Sequence, residues 1–274
     1  MTRPLPSFDT VRRLRARGHL GGTIPQHRAI WSLRLPMGRL VGGLVLAAVL
    51  SSSLLWLRPW IALVWNTELL WWLHALALPG RFEAADAVAQ GLLRLPVPSI
   101  DLQLPAYDAG AALSQGVAVV VVWWCMGWLP DAAKPVAFFV RLAALVHGAA
   151  VLFFIFWPAS FTHTVQTHVG SGMRQAWYLM LLTPWIHLAT YYLFPFAPWQ
   201  RGLLSLLTLL FLFVFTPLQY ALHVALVEQL GLIVMPVLHL LFGVMMVIIG
   251  FVALYGWAMG WRGHGQVQAQ DAPF

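Results

Sequence analysis

Charge is scarce in this chain. Of its 274 residues only 9% are charged, whereas soluble domains carry about 25%. Acidic residues are the rarer sign, with 9 Asp and Glu against 16 Lys and Arg. Because 60% of the residues are hydrophobic and the mean hydropathy is +0.76, an ordinary soluble domain is excluded. The composition predicts an all-α fold, that of a multi-pass helical membrane protein.

Cysteine and the common catalytic motifs are also missing. The single cysteine, Cys125, lies in an apolar run, so neither a disulfide within the chain nor a paired-cysteine metal motif can form. There is no HExxH, GxSxG, SxxK or phosphate-loop pattern, and the apolar runs contain no paired carboxylates. A non-enzymatic role is therefore favoured over an enzymatic one.

Positive charge is concentrated at the start of the chain. Eight of the sixteen basic residues precede the first long apolar run. In a membrane protein this bias predicts that residues 1–39 form a basic arm on the cytoplasmic side, in contact with anionic lipid. The bilayer explains these charges, so nucleic acid is not expected as a partner. Whether the arm is a surface helix or a disordered tail is left open.

The long apolar runs predict six transmembrane helices in the inner (cytoplasmic) membrane. The first is Leu40–Leu57, which we expect to end at Arg58-Pro59 because proline cannot continue a helix. A bundle of five more helices fills residues 111–260, and a polar tail follows at 261–274. The five are predicted at 111–129, 136–157, 176–194, 203–223 and 232–257, with Pro217 and Pro236 kinking the last two.

Residues 58–110 are predicted to lie on the outer side as an interfacial helix and a proline-rich loop. Pro59–Leu78 is apolar enough to span, but it contains Asn66 and Glu68. A carboxylate at the centre of a span costs about 2.5–3.5 kcal/mol on insertion scales, and the four tryptophans of this segment suit an interface. Seven spans remain an alternative, since counts of basic residues on each side do not separate the two topologies.

Two histidines are candidates for binding a cofactor. His147 and His187 each lie eleven residues into a predicted span, about 16 Å deep in a hydrocarbon core of about 30 Å. Two imidazoles at one depth on neighbouring helices could ligate a haem iron from both faces. The same pair could instead form a proton relay or a hydrogen-bonded strut.

A second group of candidates gathers at the predicted outer face and suits a transition metal. Imidazole and carboxylate are ligands for zinc, iron or copper. Within two pairs of the group the spacing is five residues, about 140° apart on a helix, so a loop is needed to bring such ligands together. The group consists of His163, His168, His223, Glu228 and His239.

Two short stretches carry a resemblance to a known family. The stretch IDLQLPAYDAGAALSQG at 100–116 and HVG at 168–170, with the order of spans and loops around them, are similar to exosortases and archaeosortases. These are membrane transpeptidases with a Cys-Arg-His active site. Where the family has its cysteine, this chain has Ala111, Ala112 and Ser114, and Phe156 and Trp157 stand where the family has its arginine. The resemblance implies a relative without the catalytic cysteine.

Three functional hypotheses follow. The favoured one is a non-enzymatic multi-pass inner-membrane subunit or scaffold of a cell-envelope complex that binds other membrane protein subunits. It rests on the missing catalytic set and on 15 tryptophans, several of them at predicted membrane boundaries. The alternative is a haem- or metal-binding membrane redox protein. The minor alternative is the exosortase-like relative.

Overall fold

The described part of the chain is almost entirely helical. The computed structural model describes residues 37–83, 95–102, 104, 108–193 and 196–261, so most of the predicted basic arm and of the polar tail lies outside it. The chain divides into two compact units, Met1–Gly42 and Gly43–Phe274, and the bundle of packed helices lies in the second. The six helices are α1 (Met37–Ala75), α2 (Ala109–Cys125), α3 (Lys134–Phe156), α4 (Val165–Leu193), α5 (Pro198–Leu230) and α6 (Leu232–Gly260).

The apolar helices confirm the predicted class, an all-α protein of the membrane type. Four helices are long and apolar enough to cross a bilayer: Leu40–Ala75, Asp131–Phe156, Pro198–Leu230 and Leu232–Gly260. The second predicted span is a shorter apolar helix, α2. The fourth predicted span is helical as α4, but α4 is not one of the four, because residues such as Arg174, Thr183 and His187 lower its hydropathy.

Helix α1 does not end at Arg58-Pro59, and the prediction of a separate helix after Pro59 is corrected. Proline removes one backbone hydrogen bond, which a helix tolerates when its neighbours hold both halves in place. Leu54 before Pro59 and Ile61 after it are buried in the same hydrophobic core, so packing keeps the helix continuous over 39 residues.

Helices α1, α4 and α5 pack against one another in alternating directions. Gly43 of α1 faces Leu188 near the end of α4, and Ser51 Oγ donates to the carbonyl of Leu181 at 3.4 Å, so α1 and α4 are antiparallel. Helix α5 returns antiparallel to α4, and α6 packs against α5. The largest core cluster contains side chains from all four helices, including the fully buried Trp65 and Trp177.

Helix α4 begins eleven residues before the predicted fourth span, 176–194, which corrects the start of that span. Thr164 Oγ1 accepts from the backbone N–H of Thr167 at 3.1 Å, and Thr167 Oγ1 accepts from the backbone N–H of Thr164 at 2.9 Å. This reciprocal pair is a capping box, which satisfies two N–H groups at the helix start. The helix therefore begins at Val165, and His168, Gly170 and Gly172 are helical.

The two prolines in the last helices are accommodated differently. Pro217 lies inside α5 and leaves the carbonyl of Phe213 without its helical donor. The indole Nε1 of Trp65 on α1 donates to that carbonyl at 2.8 Å, so a neighbouring helix supplies the missing hydrogen bond. Pro236 lies in the first turns of α6, where the backbone N–H of Met235 donates to the carbonyl of Leu232.

Two peripheral elements complete the fold. A two-stranded antiparallel sheet pairs Gly80–Glu83 with Ser99–Leu102 and is tied to α4 by the backbone N–H of Ile100, which donates to Gln166 Oε1 at 2.6 Å. Helices α2 and α3 pack against each other as an antiparallel hairpin, and the far end of α3 contacts the start of α6.

Candidate functional site

A stripe of polar side chains runs along the buried face of α5. Its members are spaced by three or four residues, which keeps them on one face of the helix, and Leu212 is the apolar position in the series. From its first to its last residue it covers 22 helical steps, about 33 Å, close to the thickness of a hydrocarbon core. The polar stripe consists of Arg201, Ser205, Thr208, Thr216, Gln219 and His223, each at most 8% exposed.

At one end of the stripe lies the His168 cluster, formed by His168, Tyr220, His223 and His239. His168 Nε2 and His223 Nδ1 are 3.2 Å apart and hydrogen-bonded. The ring of His239 lies 6.0 Å from that of His168, and the ring of Tyr220 lies 5.2 Å from that of His223, centroid to centroid. Three imidazoles and a phenol therefore surround one buried point.

Two local features bring these side chains together. Gly172 leaves room for Tyr220, because a Cβ at position 172 would overlap the phenol oxygen. His239 lies in a π-helical segment, Leu238–Met245, which shifts the register of α6 relative to an α-helix. Single π-helical segments inside α-helices occur often at functional sites.

At the other end lies the His187 cluster, formed by His187, Thr190, Tyr191, Ser205 and Tyr255. His187 Nδ1 lies 3.0 Å from Ser205 Oγ and 3.1 Å from Tyr191 Oη. Tyr191 Oη donates to the carbonyl of Arg201 at 2.7 Å and lies 2.9 Å from Ser205 Oγ. The hydroxyls of Thr190 and Tyr255 are hydrogen-bonded, and the Tyr255 ring meets His187 edge-on at 5.2 Å.

Arg201 closes this end of the stripe. Its Nε donates to the carbonyl of Phe196 at 3.0 Å, and its guanidinium lies 6.0 Å from the centre of the Tyr191 ring. Arg201 is three residues after Pro198, so its long side chain reaches the end of the bundle.

Each cluster contains an imidazole nitrogen without a hydrogen-bond partner among the described residues. His187 is fully buried and His223 is 1% exposed, yet neither Nε2 has a partner in this part of the chain. An unsatisfied buried polar atom costs about 1–3 kcal/mol, so such an atom needs an explanation beyond packing. Both atoms can accept or donate one hydrogen bond or one proton.

Between the clusters the stripe is interrupted. Thr208 Oγ1 and Thr216 Oγ1 donate to carbonyls of their own helix, four residues earlier. Leu212 lies between them, 1% exposed, and Met180 of α4 is 2% exposed in the same core cluster. The two threonines are eight helical steps apart, so the apolar gap is about 12 Å long.

The first predicted histidine pair does not come together in the contacts of the described residues. His187 contacts side chains of α4, α5 and α6, whereas His147 lies on α3, and its Nδ1 is buried without a partner there. Joint ligation of haem by this pair stays a prediction.

The second predicted group is brought together in part. His168, His223 and His239 share one cluster, which their spacing in sequence did not indicate. His163 is exposed and rests against Phe161, and Glu228 lies farther along α5. Among the residues that the structure describes, no group of three or more His, Cys, Asp and Glu could hold a metal ion.

Several functional side chains do not stand out in the sequence. Tyr191, Ser205, Tyr220 and Tyr255 contact the histidines, and none of them is unusual by type alone. The signal that could have found the stripe is its period, since polar residues recur every three or four positions through an otherwise apolar run.

An apolar groove lies on the α2–α3 hairpin, away from the polar stripe. Its volume is about 990 Å³. Small residues on both helices, Gly116, Ala144 and Gly148, let the backbones approach and form its floor, while Val117, Val120, Leu145 and Leu152 form exposed walls.

The fold and its buried polar stripe define an all-α protein of the membrane type with an ionisable core. Comparison of the chain with protein-family models, with curated proteins and with solved structures finds no match. The resemblance to exosortases therefore rests on the quoted residues alone. In the structure, Ala112 is fully buried, His168 is hydrogen-bonded to His223, and Cys125 lies at the opposite end of α2.

Proposed function

We propose that this protein is a non-enzymatic multi-pass subunit, or scaffold, of a membrane complex, and that the α2–α3 groove receives an apolar transmembrane helix of a partner subunit. The observation that carries the proposal is the isolation of the hairpin. Within α2, Ala112 is the one buried residue, and Val117, Val120 and Trp124 are each more than 60% exposed.

The length of α2 supports a protein partner rather than lipid alone. Its 17 residues make a helix of about 26 Å, shorter than a hydrocarbon core of about 30 Å. A short helix is accommodated by thinning the bilayer or by associating with other helices. The small residues of the groove floor suit the second route, because a partner helix packs closely only where side chains are small.

The test fills the groove and measures association. Val120→Trp is expected to lower the amount of co-purifying partner about tenfold, which corresponds to ~1.4 kcal/mol of binding free energy. Val252→Trp is the matched control, because Val252 of α6 is 66% exposed and Val120 is 67% exposed. Purification in mild detergent followed by mass spectrometry of bound chains gives the readout.

Two outcomes would contradict the proposal. One is a wild-type protein that purifies as a monomer with no other chain bound. The other is an equal loss of partner in both tryptophan variants, because the groove would then have no special role.

The cellular setting is part of the same proposal. The basic residues of the first 39 positions support a cytoplasmic N-terminus in contact with anionic lipid, and the multi-pass pattern supports a cell-envelope complex in the inner membrane. A reporter fused after Phe274 checks the orientation, since an even number of spans predicts that it stays in the cytosol.

The second candidate is a membrane redox protein that binds a transition metal or haem, and the His168 cluster favours it. Three imidazoles around one buried point are the donor set that such ions prefer, although they do not form a ligand set in the described structure. An absorption spectrum and elemental analysis of the purified protein test it. Absence of both a Soret band and stoichiometric metal would exclude this candidate.

A further inference from the structure

We propose that the polar stripe of α5 is a proton pathway across the bundle, with the His168 cluster and the His187 cluster as its two terminal proton-binding sites. This inference does not depend on the proposed complex. It rests on the position of the stripe, on the two unpartnered imidazole nitrogens of the described chain and on the apolar gap between them.

The position of the stripe is the first argument. Six buried polar residues on one face of a membrane-spanning helix are costly unless they serve a purpose, and buried ionisable residues in membranes commonly mark proton or ion paths. The two clusters are 19 residues apart on α4, about 28 Å, so they lie near opposite faces of a hydrocarbon core of about 30 Å.

The unpartnered nitrogens are the second argument. A structural role accounts for the hydroxyls of Thr208 and Thr216, because each donates a hydrogen bond to a backbone carbonyl of its own helix. A structural role does not account for His187 Nε2 and His223 Nε2, because both atoms are buried and have no hydrogen-bond partner among the described residues. A group that must bind and release a proton needs such an available lone pair.

The transfer step balances without any oxidant or reductant. His223 accepts a proton at Nε2, and its Nδ1 proton passes to His168 Nε2 across the 3.2 Å hydrogen bond. His168, now carrying one extra proton, releases the proton on its Nδ1, and both rings return to the neutral form. Tyr220 and His239 face this exchange, and a second positive charge on His239 would oppose it.

The opposite cluster binds its proton on one imidazole that two hydroxyls hold in place. His187 accepts a proton at Nε2 while Ser205 Oγ and Tyr191 Oη hydrogen-bond its Nδ1, and it releases a proton again from Nε2, so the ring returns to the neutral form. Tyr255 and the guanidinium of Arg201 are the other titratable or charged groups of the described chain that face this cluster.

The apolar gap determines the rate. On α5 no polar side chain lies in the roughly 12 Å between Thr208 and Thr216, so water must enter beside Leu212 and Met180 to carry the proton. An apolar constriction is dry most of the time, and it therefore acts as a gate. The wild-type protein should therefore conduct protons slowly, and a polar residue at position 212 should open the path.

The experiment uses the full chain reconstituted in liposomes with a pH-sensitive dye inside and a potassium gradient with valinomycin as the driving force. Leu212→Thr is expected to raise proton entry about tenfold over wild type, because a hydroxyl in the gap favours water. Leu210→Thr is the matched control, since Leu210 of α5 is 56% exposed, and it should leave the flux unchanged.

A second pair of variants tests the terminal sites. In the Leu212→Thr background, His223→Gln and His187→Gln should each return proton entry to the wild-type level, because glutamine keeps a hydrogen-bonding group but does not titrate near neutral pH. Circular dichroism and equal incorporation verify that each variant folds.

Three results would overturn the inference. They are no increase in Leu212→Thr, an increase that persists when either histidine is replaced, and release of a trapped fluorescent solute along with the protons. The last would indicate a general leak rather than a proton path.

Discussion

At the scale of single residues, the bundle depends on polar contacts that cross between helices. Trp65 supplies the hydrogen bond that Pro217 removes from α5, and it does so from a fully buried position. In an apolar phase a carbonyl without a donor costs several kcal/mol, so this contact couples α1 to α5 more firmly than apolar packing would. Gly172 contributes by having no side chain, which leaves space for the ring of Tyr220.

The first prediction concerns Trp65. Trp65→Phe should destabilise the protein by about 2–4 kcal/mol, through the lost hydrogen bond and a small cavity. In a Pro217→Ala background the helix regains its own donor to Phe213, so the cost of Trp65→Phe should fall by about 1–3 kcal/mol. Thermal unfolding in detergent measures the cycle, and Trp60→Phe, at a residue 64% exposed, is the control. Equal costs in both backgrounds would refute the coupling.

The second prediction concerns Gly172. Gly172→Ala should lower the melting temperature and displace the Tyr220 ring, because the added Cβ would overlap the phenol. Gly170→Ala is the matched control two residues away, where the new Cβ makes an ordinary contact with Arg174 at 3.5 Å. That variant should gain up to about 1 kcal/mol from helix propensity. Tyr fluorescence is obscured by the tryptophans, so side-chain NMR of labelled tyrosine reports the displacement.

At the scale of elements, sequence reasoning succeeds wherever apolar length decides and fails wherever packing decides. The runs that form α3, α5 and α6 are long and apolar, so the sequence predicts them as helices. Pro59 predicts a helix end, but core contacts on both sides keep α1 continuous. No pattern in the sequence indicates that α6 contains a π-helical segment, which is what turns His239 toward His168.

The start of α4 gives the third prediction. Thr164→Ala should cost about 1 kcal/mol and fray the first turn, because Thr164 Oγ1 no longer accepts from the N–H of Thr167. Hydrogen exchange should show faster exchange of the amides at 165–168 in this variant, with Thr162→Ala as an exposed control. If the amides of 165–174 exchange freely in the wild type, the capped helix start is wrong.

At the scale of the whole molecule, α1 is longer than a bilayer is thick. Its 39 residues make a helix of about 58 Å, whereas a hydrocarbon core of about 30 Å crossed at a tilt of 40° requires about 39 Å. Part of α1 must therefore project beyond the hydrocarbon. The predicted interfacial character of the segment after Pro59 stays a prediction, although this segment is no separate helix.

The fourth prediction tests this projection by labelling. In a Cys125→Ser background, Ala75→Cys should react with a membrane-impermeant maleimide in intact vesicles of one orientation, because Ala75 is exposed at the end of α1. Val49→Cys, at an apolar residue 56% exposed, should react only after detergent is added. Protection of both positions would place the whole of α1 within the membrane.

The candidate site is predictable from the sequence only in outline. His168, His223 and His239 stand out because imidazole is rare in apolar runs, and the structure places them together. Their pairing cannot be derived, because it depends on α4 beginning at Val165 and on the space left by Gly172. The sequence does not single out Leu212, because an apolar residue in an apolar run is ordinary. Leu212 becomes notable only when the polar residues on the same face of α5 are recognised as one series.

The contact between Trp65 and the carbonyl of Phe213 also has a consequence for biogenesis. Ribosomes deliver α1 to the translocon before α5, so the indole donor is already in lipid when the proline-interrupted helix emerges. A chain that lacks residues 1–65 would insert α5 with that carbonyl unsatisfied. The order of synthesis thus makes the donor on α1 available when α5 enters the membrane.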